Sequence, residues 1–178
     1  GIGSALTSNY SGLLKVYMES ERKRLEGVLP KNGRLRSILV HEQLTDLALA
    51  LNADELIKSF MGHASDMNVI PGFVTRNFPM FVDCAVRLGV NLDEIAIMTP
   101  FNKLGFQMTP NRKACEYVLR ANTLNVIAIS VLASGQLRLS DAADYLETIG
   151  GIGSVVIGAS SPSHARETFS HFSTLRGH

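Results

Sequence analysis

Cysteine and net charge are both scarce in this 178-residue chain. The two cysteines, Cys84 and Cys115, each lie in an amphipathic stretch typical of a helix. We therefore expect two small buried side chains and no disulfide framework. The 17 basic and 16 acidic residues leave a net charge of +1, which gives the chain no electrostatic footprint for nucleic acid or for an anionic membrane.

Long hydrophobic runs are also absent. No uninterrupted apolar run of about 18 residues occurs, and no secretory signal pattern is present, so we expect no membrane span and a cytoplasmic location. Apolar residues nevertheless make up 46% of the chain, and its length is sufficient for one domain with a real core. The composition therefore favours a single well-packed globular domain.

Several short motifs that carry chemistry do not occur. The absence of C-x-x-C, H-E-x-x-H and G-x-S-x-G argues against a metal site and against serine-hydrolase chemistry. No G-x-G-x-x-G follows the first predicted strand, which weakens a doubly wound dinucleotide-binding fold. The glycine-rich segment 150–154 precedes a predicted strand, so we interpret it as a tight turn.

Short apolar runs alternate with helical patterns along the chain. Their consecutive apolar positions are typical of parallel strands covered on both faces. Five strand-then-helix units predict an α/β fold, either an open doubly wound sheet or a (β/α) TIM-type barrel. Since a closed barrel needs eight strands, we expect residues 1–178 to form one incomplete (β/α)-barrel-like domain that lacks its N-terminal strands. The predicted strands are 36–41, 68–74, 94–98, 125–132 and 154–159.

Helix-start signals precede most of the helical patterns. An earlier helix is predicted over roughly 9–29, and its spacing places five apolar side chains inward: Leu13, Leu14, Tyr17, Leu25 and Val28. The predicted starts of the later helices lie at Asn52, Asn77, Thr109-Pro110, Ser140 and Ser161-Pro162.

Function in a barrel gathers at the carboxyl ends of the strands, so the residues that follow each predicted strand are the candidates. His41 ends the first strand. A neutral imidazole there could donate a proton or polarise a carbonyl, because its pKa lies near working pH. The alternative is a polar cap at the end of a buried strand.

The next three strand ends carry polar, aromatic and small residues. Thr75 and Asn77 could hydrogen-bond a ligand amide and Arg76 could bind an anion; the alternative is a strand exit with a helix N-cap at Asn77. An exposed Phe101 could stack on a flat ring, or it could fill the barrel mouth. After the fourth strand, a long loop predicts close backbone approach to a ligand at 134–135.

The fifth strand runs through a small-residue turn into a helix. Ser161 is placed to accept hydrogen bonds from the first free N–H groups, and Pro162 suits the first helical position. Together with Ser160 and Arg166, this helix start predicts a positively polarised pocket for a phosphate or carboxylate. Capping alone would account for Ser161 and Pro162.

Taken in order, these strand ends resemble the C-terminal part of an aldo-keto reductase. The segments ILVH, IPGFVTRN, TPFN, VIAISVLASGQL and SVVIGASSPSHARETF are similar to the fourth to eighth strands of that family and their exits. The resemblance covers roughly residues 36–170 and implies NADP as cofactor and His41 as a catalytic residue. It implies cofactor contacts from Thr75, Asn77 and Phe101 at the nicotinamide, from Ser130, Leu132, Ser134 and Gly135 at the pyrophosphate, from Ser160, Ser161 and Arg166 at the adenosine phosphate, and from Glu167 near the adenine.

The chain departs from the family pattern at two points. The family's carboxamide-binding glutamine corresponds to Met98, which cannot form that pair of hydrogen bonds. The catalytic Asp, Tyr and Lys belong to the family's first three β/α units, which have no counterpart in this chain, and Tyr10 or Tyr17 on a helix is no substitute. Because hydride transfer needs cofactor and proton donor in near contact, the chain can supply much of the cofactor cradle but not the chemistry.

We therefore expect NADP-dependent reduction of a small carbonyl substrate in the parent barrel, with His41 helping to polarise the oxygen. An alternative of another class is a catalytically silent, barrel-derived ligand-binding or assembly protein, whose open edges pair with a second copy or a complementing chain. A third hypothesis is another phosphate-binding barrel enzyme, such as an isomerase or aldolase, for which Lys103 is the only candidate Schiff-base lysine.

Overall fold

The protein folds into a parallel β-sheet flanked by helices. The structure, a computed structural model, describes residues 2–172, with side chains from residue 12 onward. All five predicted strands are present. Compared with the prediction, β1 begins one residue later, β2 and β3 two residues later, and β5 two residues earlier. The strands are β1 (Ser37–Val40), β2 (Ile70–Val74), β3 (Ala96–Pro100), β4 (Asn125–Ile129) and β5 (Ile152–Val155).

The described part of the chain contains seven α-helices. Between β1 and β2 the chain forms two helices, the first of which was not predicted because its sequence was interpreted as a strand-end loop. None of the helices within residues 2–172 is both long enough and apolar enough to cross a membrane. The helices are α1 (Ile2–Glu26), α2 (Glu42–Ala50), α3 (Asp54–Asp66), α4 (Phe78–Arg87), α5 (Arg112–Ala121), α6 (Leu139–Ile149) and α7 (Pro162–Phe172).

Three predicted helix starts are displaced. Asn52 adopts a positive φ of 50° before α3, whose N-cap is Ala53 without a side-chain hydrogen bond, so the predicted start at Asn52 is wrong. Helix α5 begins after Asn111, whose Oδ1 accepts from the Ala114 N–H at 3.0 Å, rather than at Thr109-Pro110. Ser140 lies within α6, whose N-cap is Arg138. At α5 the residue that accepts the capping hydrogen bond marks the first turn.

The sheet has the strand order β1-β2-β3-β4-β5, and every neighbouring pair is parallel. This sequential order confirms the α/β fold, and the five described strands show no strand-order reversal of the kind found in a doubly wound sheet. Right-handed crossovers between successive parallel strands place the connecting helices on one face. Among the described residues β1 and β5 each pair on one side only, so the sheet is open and a closed barrel is not formed by them.

The hydrophobic core lies between the sheet and the helices. Phe73 on β2 packs against Phe60 of α3 and Phe81 of α4, with ring centroids 5.2 and 4.9 Å apart. The strand register aligns Phe73 with Ile97, and Ile97 with Val126, so all three point toward the helices, where they are buried. Both cysteines are free and buried, as predicted, and burial raises the pKa of the Cys115 thiol to about 11.

The opposite face of the sheet carries apolar side chains that are only half-buried. Three half-buried residues on this face are Leu39, Met98 and Ile127. Each lies next along its strand to a residue that faces the core. Gly72 also faces this side, where a Cβ would lie 2.5 Å from the Leu39 side chain. The space over Gly72 is thus occupied by its neighbour on β1.

Helix α1 does not bury the face that its sequence predicts. Leu13, Tyr17 and Val28 are 67%, 61% and 79% exposed, and Leu25 is also exposed. Helix α1 packs on α3 through Met18, which is buried, and an apolar cleft of about 510 Å³ remains between α1 and α2. The prediction of an inward face is wrong for these four residues because α1 packs chiefly on α3, through the side that carries Met18.

Candidate functional site

The predicted site residues follow the strands at one edge of the sheet. Because all five strands are parallel, their carboxyl ends lie on the same side of the sheet. Four predicted site residues come directly after a strand: His41, Thr75, Phe101 and Ser130. The turn from β5 to α7, which contains Ser160 and Ser161, leaves from the same edge. We call this side, from His41 to α7, the carboxyl edge.

His41 is exposed and forms the N-cap of α2. Its Nδ1 accepts a hydrogen bond from the Gln43 N–H at 3.3 Å, which is the capping arrangement given above as the alternative to catalysis. A neutral imidazole that accepts at Nδ1 carries its proton on Nε2. His41 therefore combines a structural role with an outward N–H donor, and its catalytic role stays a prediction.

Thr75 is fully buried and does not face the carboxyl edge. Its hydroxyl donates to Asp46 Oδ1 at 2.5 Å and accepts from the Asn77 N–H at 3.0 Å. Asp46 Oδ2 also accepts from the Arg76 N–H at 3.2 Å. The hydroxyl is thus engaged on both sides within the protein, and the expectation that Thr75 hydrogen-bonds a ligand amide does not fit this geometry.

Two carboxylates of α2 hold the exit of β2, and neither was singled out from the sequence. Glu42 forms a two-pronged ion pair with Arg76, at 2.5 Å to Nη2 and 3.0 Å to Nε. Glu42 and Asp46 are four residues apart, so both lie on one face of α2. The four-residue spacing of these two carboxylates was the signal in the sequence that could have identified them. Arg76 is paired with Glu42 within the protein.

Asn77 is the N-cap residue of α4, which is the alternative to ligand binding given above. Its backbone is at φ −103°, its side chain makes no capping hydrogen bond, and Nδ2 lies 3.4 Å from Met80 Sδ. The side chain is half-buried at the carboxyl edge. Asn77 is therefore the one residue of the 75–77 segment whose side chain makes no strong polar contact within the protein.

Phe101 has no exposed ring face. It is fully buried and packs edge-on against Phe78, with centroids 5.6 Å apart and ring planes at 75°. The expectation of an exposed ring is wrong for this structure, and the ring packs on the helix side of the sheet rather than filling a barrel mouth. The following Asn102 is also buried and exchanges two 2.8 Å hydrogen bonds with the backbone of Phe106, which closes the loop after β3.

The loop after β4 is built from residues with positive φ. Ser130, Ala133, Ser134 and Gly135 have φ angles of 52°, 46°, 60° and 85°. The Ser130 hydroxyl donates to Gln107 Oε1 at 3.3 Å, which joins this loop to the one after β3. Backbone strain at non-glycine residues often accompanies a functional loop.

Within that loop the predicted pyrophosphate contacts differ in exposure. Ser134 and Gly135 are exposed, whereas Ser130 and Leu132 are half-buried. A Cβ on Gly135 would meet nothing within 4 Å, so backbone approach is open there. The loop therefore presents exposed small residues at the carboxyl edge, and their contact with a pyrophosphate stays a prediction.

The start of α7 has the capped geometry that the sequence predicts. Ser161 Oγ accepts from the His164 N–H at 3.2 Å, and Pro162 occupies the first helical position. Ser160 Oγ lies 2.9 Å from His164 Nδ1. One turn further along, Arg166 and Glu167 are exposed, and neither forms an ion pair with another residue in the 12–172 range.

Lys103 lies in the loop after β3 and is a poor Schiff-base candidate. Its Nζ is 4.0 Å from Asp141 Oδ1, and the side chain is more than half exposed. Asp141 also accepts from Arg138 Nε at 2.8 Å, and this hydrogen bond lowers the pKa of the Asp141 carboxyl. Lys103 thus belongs to a surface charge cluster with Asp141 and Arg138.

The residues fit one end of NADP and not the other. At the α7 start, the exposed Ser160 and Arg166, which has no ion pair among residues 12–172, suit a phosphate group, whereas the Ser161 hydroxyl already accepts the His164 N–H. At the nicotinamide end, Thr75 and Phe101 are buried and Met98 offers no amide. No group of three His, Cys, Asp or Glu suited to a metal ion occurs among the described residues. Comparisons of the chain with protein-family models, with curated proteins and with solved structures each found no match.

Proposed function

We propose that this chain is part of a (β/α) TIM-type barrel that binds the phosphate end of NADP at the start of α7. The closed barrel would reduce small carbonyl substrates, similar to an aldo-keto reductase. The observation that supports the proposal is the shared carboxyl edge, where the capped α7 start, Arg166 and the exposed loop at 134–135 follow neighbouring strands.

In this proposal each group has a limited role. The Arg166 guanidinium and the Ser163 N–H would contact the phosphate, since Pro162 has no N–H and the His164 N–H is donated to Ser161 Oγ. His41 would donate its Nε2 hydrogen toward a substrate oxygen. Bound NADP would supply the hydride, while the remaining catalytic groups and the nicotinamide pocket would come from the strands that close the barrel. A cytoplasmic location belongs to the same proposal, and two free buried cysteines agree with a reducing compartment.

The test is a fluorescence titration of the chain with NADPH and NADH. We expect Arg166→Ala to weaken NADPH binding about fivefold to tenfold, since a charge-assisted contact to phosphate is lost, and to leave NADH binding nearly unchanged. Lys113→Ala removes an exposed cation on α5 and is the matched control. No NADPH binding at millimolar concentration, or equal effects of both substitutions, would refute the assignment.

The open edges of the sheet favour a second candidate, a barrel-derived assembly module. Strands β1 and β5 each leave one backbone edge unpaired among the described residues, and parallel edges seldom remain bare. Light scattering separates the two ideas. A dimer or larger particle supports assembly through the edges, whereas a monomer of 19.3 kDa with one cooperative melt contradicts it.

A further inference from the structure

A groove of about 1230 Å³ lies at the amino edge of the sheet, opposite the carboxyl edge. Its walls include Arg36, Ile70 and Glu94, which stand at or just before the starts of β1, β2 and β3. The ends of α1 and α3 form the remaining sides. The groove is therefore separate from the site discussed above and shares no residue with it.

Positive charge is concentrated along this groove. Lys31, Arg34 and Arg36 all line it, all are exposed, and none forms an ion pair with another residue in the 12–172 range. Most other cations of the described chain are paired, among them Arg76 with Glu42 and Arg87 with Asp54. Three unpaired cations within six residues leave this segment without a neutralising partner.

The carboxylates of the groove do not cancel this charge. Glu26 is held by Arg22 at 2.7 Å, and Arg22 also lines the groove. Glu94 accepts a hydrogen bond from Asn91 Nδ2 at 3.0 Å and has no cationic partner among the described residues. Four cations against two carboxylates leave a net positive groove on a chain whose total charge is only +1.

The cationic segment is anchored at both ends. The Gly33 N–H donates to the Pro30 carbonyl at 2.7 Å, and a Cβ on Gly33 would lie 2.9 Å from the Pro30 ring, so this turn is closely packed. At the other end the Arg36 carbonyl accepts from the Ile70 N–H at 2.9 Å. The backbone of 30–36 is thus fixed by hydrogen bonds, which reduces the ordering cost of binding.

The groove is also lined by apolar side chains, and none of its lining residues is aromatic. The apolar lining includes Leu35, Met61, Met67 and Pro71. Methionine and aliphatic side chains accommodate a flexible chain, whereas a nucleotide base would favour an aromatic partner to stack on. A groove lined by both cations and aliphatic side chains suits a ligand with a charged head and an aliphatic body.

We infer that this groove binds a small phosphorylated molecule with an aliphatic body, with Lys31, Arg34 and Arg36 contacting the phosphate and the Met61 side of the groove contacting the chain. The inference is independent of the proposed NADP site. The two share neither residues nor strand ends, so each can fail alone.

The test is calorimetric titration of the full chain with decyl phosphate below its micelle concentration. We expect Arg34→Gln and Arg36→Gln each to weaken binding about fivefold, and the double variant about 25-fold. Added salt should weaken binding by the wild type more than by the double variant. Decanol, which lacks the phosphate, should bind at least tenfold more weakly.

The matched control is Lys113→Gln, which removes from α5 an exposed cation that forms no ion pair with another residue in the 12–172 range. This variant should bind decyl phosphate within twofold of the wild type, and a thermal melt verifies that each variant is folded. Equal weakening by all the cation variants would show non-specific attraction and overturn the inference. So would absence of binding at millimolar decyl phosphate, or binding only to phosphatidic acid vesicles.

Discussion

At the scale of single residues, Thr75 and Asp46 show how a buried hydroxyl determines the path of the chain after a strand. The hydroxyl lies between an Asp46 oxygen and the Asn77 N–H, while the second carboxylate oxygen receives the Arg76 N–H. One aspartate therefore orients the whole turn from β2 into α4. The side chain that resembled a ligand contact in the sequence is instead part of this support.

Removal of the Asp46 carboxylate should destabilise the fold. In Asp46→Ala the buried Thr75 hydroxyl and the Arg76 N–H lose their acceptors, so we expect a loss of about 1–3 kcal/mol in the free energy of unfolding. Asp46→Asn keeps an acceptor oxygen and should lose less. Urea denaturation measures the difference, and Glu147→Ala, which truncates an exposed carboxylate on α6, is the control. A full-size loss in the control, or none in Asp46→Ala, would contradict this role.

The direction of these side chains was not predictable from strand composition. Side chains alternate across a strand, so Thr75 must share the helix-facing side of Phe73, and Phe101 that of Ile97. Both faces of the strands are apolar in sequence, however, and the pattern does not reveal which one meets the helices. Only the contacts of Phe73 with two helices settle the question.

At the scale of elements, helix α3 is linked to α4 by a paired charge. Arg87, at the end of α4, donates two hydrogen bonds to Asp54, the first residue of α3, at 2.6 and 2.8 Å. The hydrogen bond from Arg87 holds the pKa of the Asp54 carboxyl below its ordinary value. The same carboxylate lies at the positive end of the α3 dipole, which favours its charged form.

This pair predicts a pH dependence of stability. Because the pKa of Asp54 is lower in the folded protein, its contribution is complete above the ordinary aspartate value of about 3.9 and disappears as pH falls through the lowered value. We expect Asp54→Asn to be less stable than the wild type at pH 6, with the difference shrinking toward pH 3. Thermal melts across that range measure it, with Asp144→Asn on the surface of α6 as the control. A difference that stays constant with pH would refute the assignment.

Element boundaries were less predictable than element types. The five strands follow from apolar runs, and the capped start of α7 follows from Ser161 and Pro162. Helix α2 was not predicted because its first turn places polar residues directly after β1. A loop at this point would also begin with polar residues. Helix α1 was predicted as a helix, but the side that it buries depends on α3, which no local pattern encodes.

At the scale of the whole molecule, stability is concentrated on the helix-covered side of the sheet. Phe73 is 2% exposed between Phe60 and Phe81, whereas Leu47 on α2 is 54% exposed. Both positions carry an apolar residue in the sequence. The difference lies in the neighbours that the fold assembles around each side chain.

We therefore expect opposite outcomes from two substitutions of apolar residues. Phe73→Ala should cost about 3–5 kcal/mol in the free energy of unfolding because it leaves a cavity in the aromatic cluster. Leu47→Ser should change the same quantity by less than about 0.5 kcal/mol, since most of the side chain already meets water. Chemical denaturation compares both variants with the wild type. A comparable loss in Leu47→Ser would indicate that another surface covers α2 in solution.

The strand order also bears on how the chain acquires its structure. Each strand pairs with the one that precedes it in the sequence, roughly 30 residues earlier, and never with a strand made much later. A separation of this length costs less loop-closure entropy at each pairing step than pairing between strands that are further apart in the sequence. During synthesis on the ribosome, every new strand–helix unit therefore emerges beside a completed template, and the sheet can grow in the direction of translation.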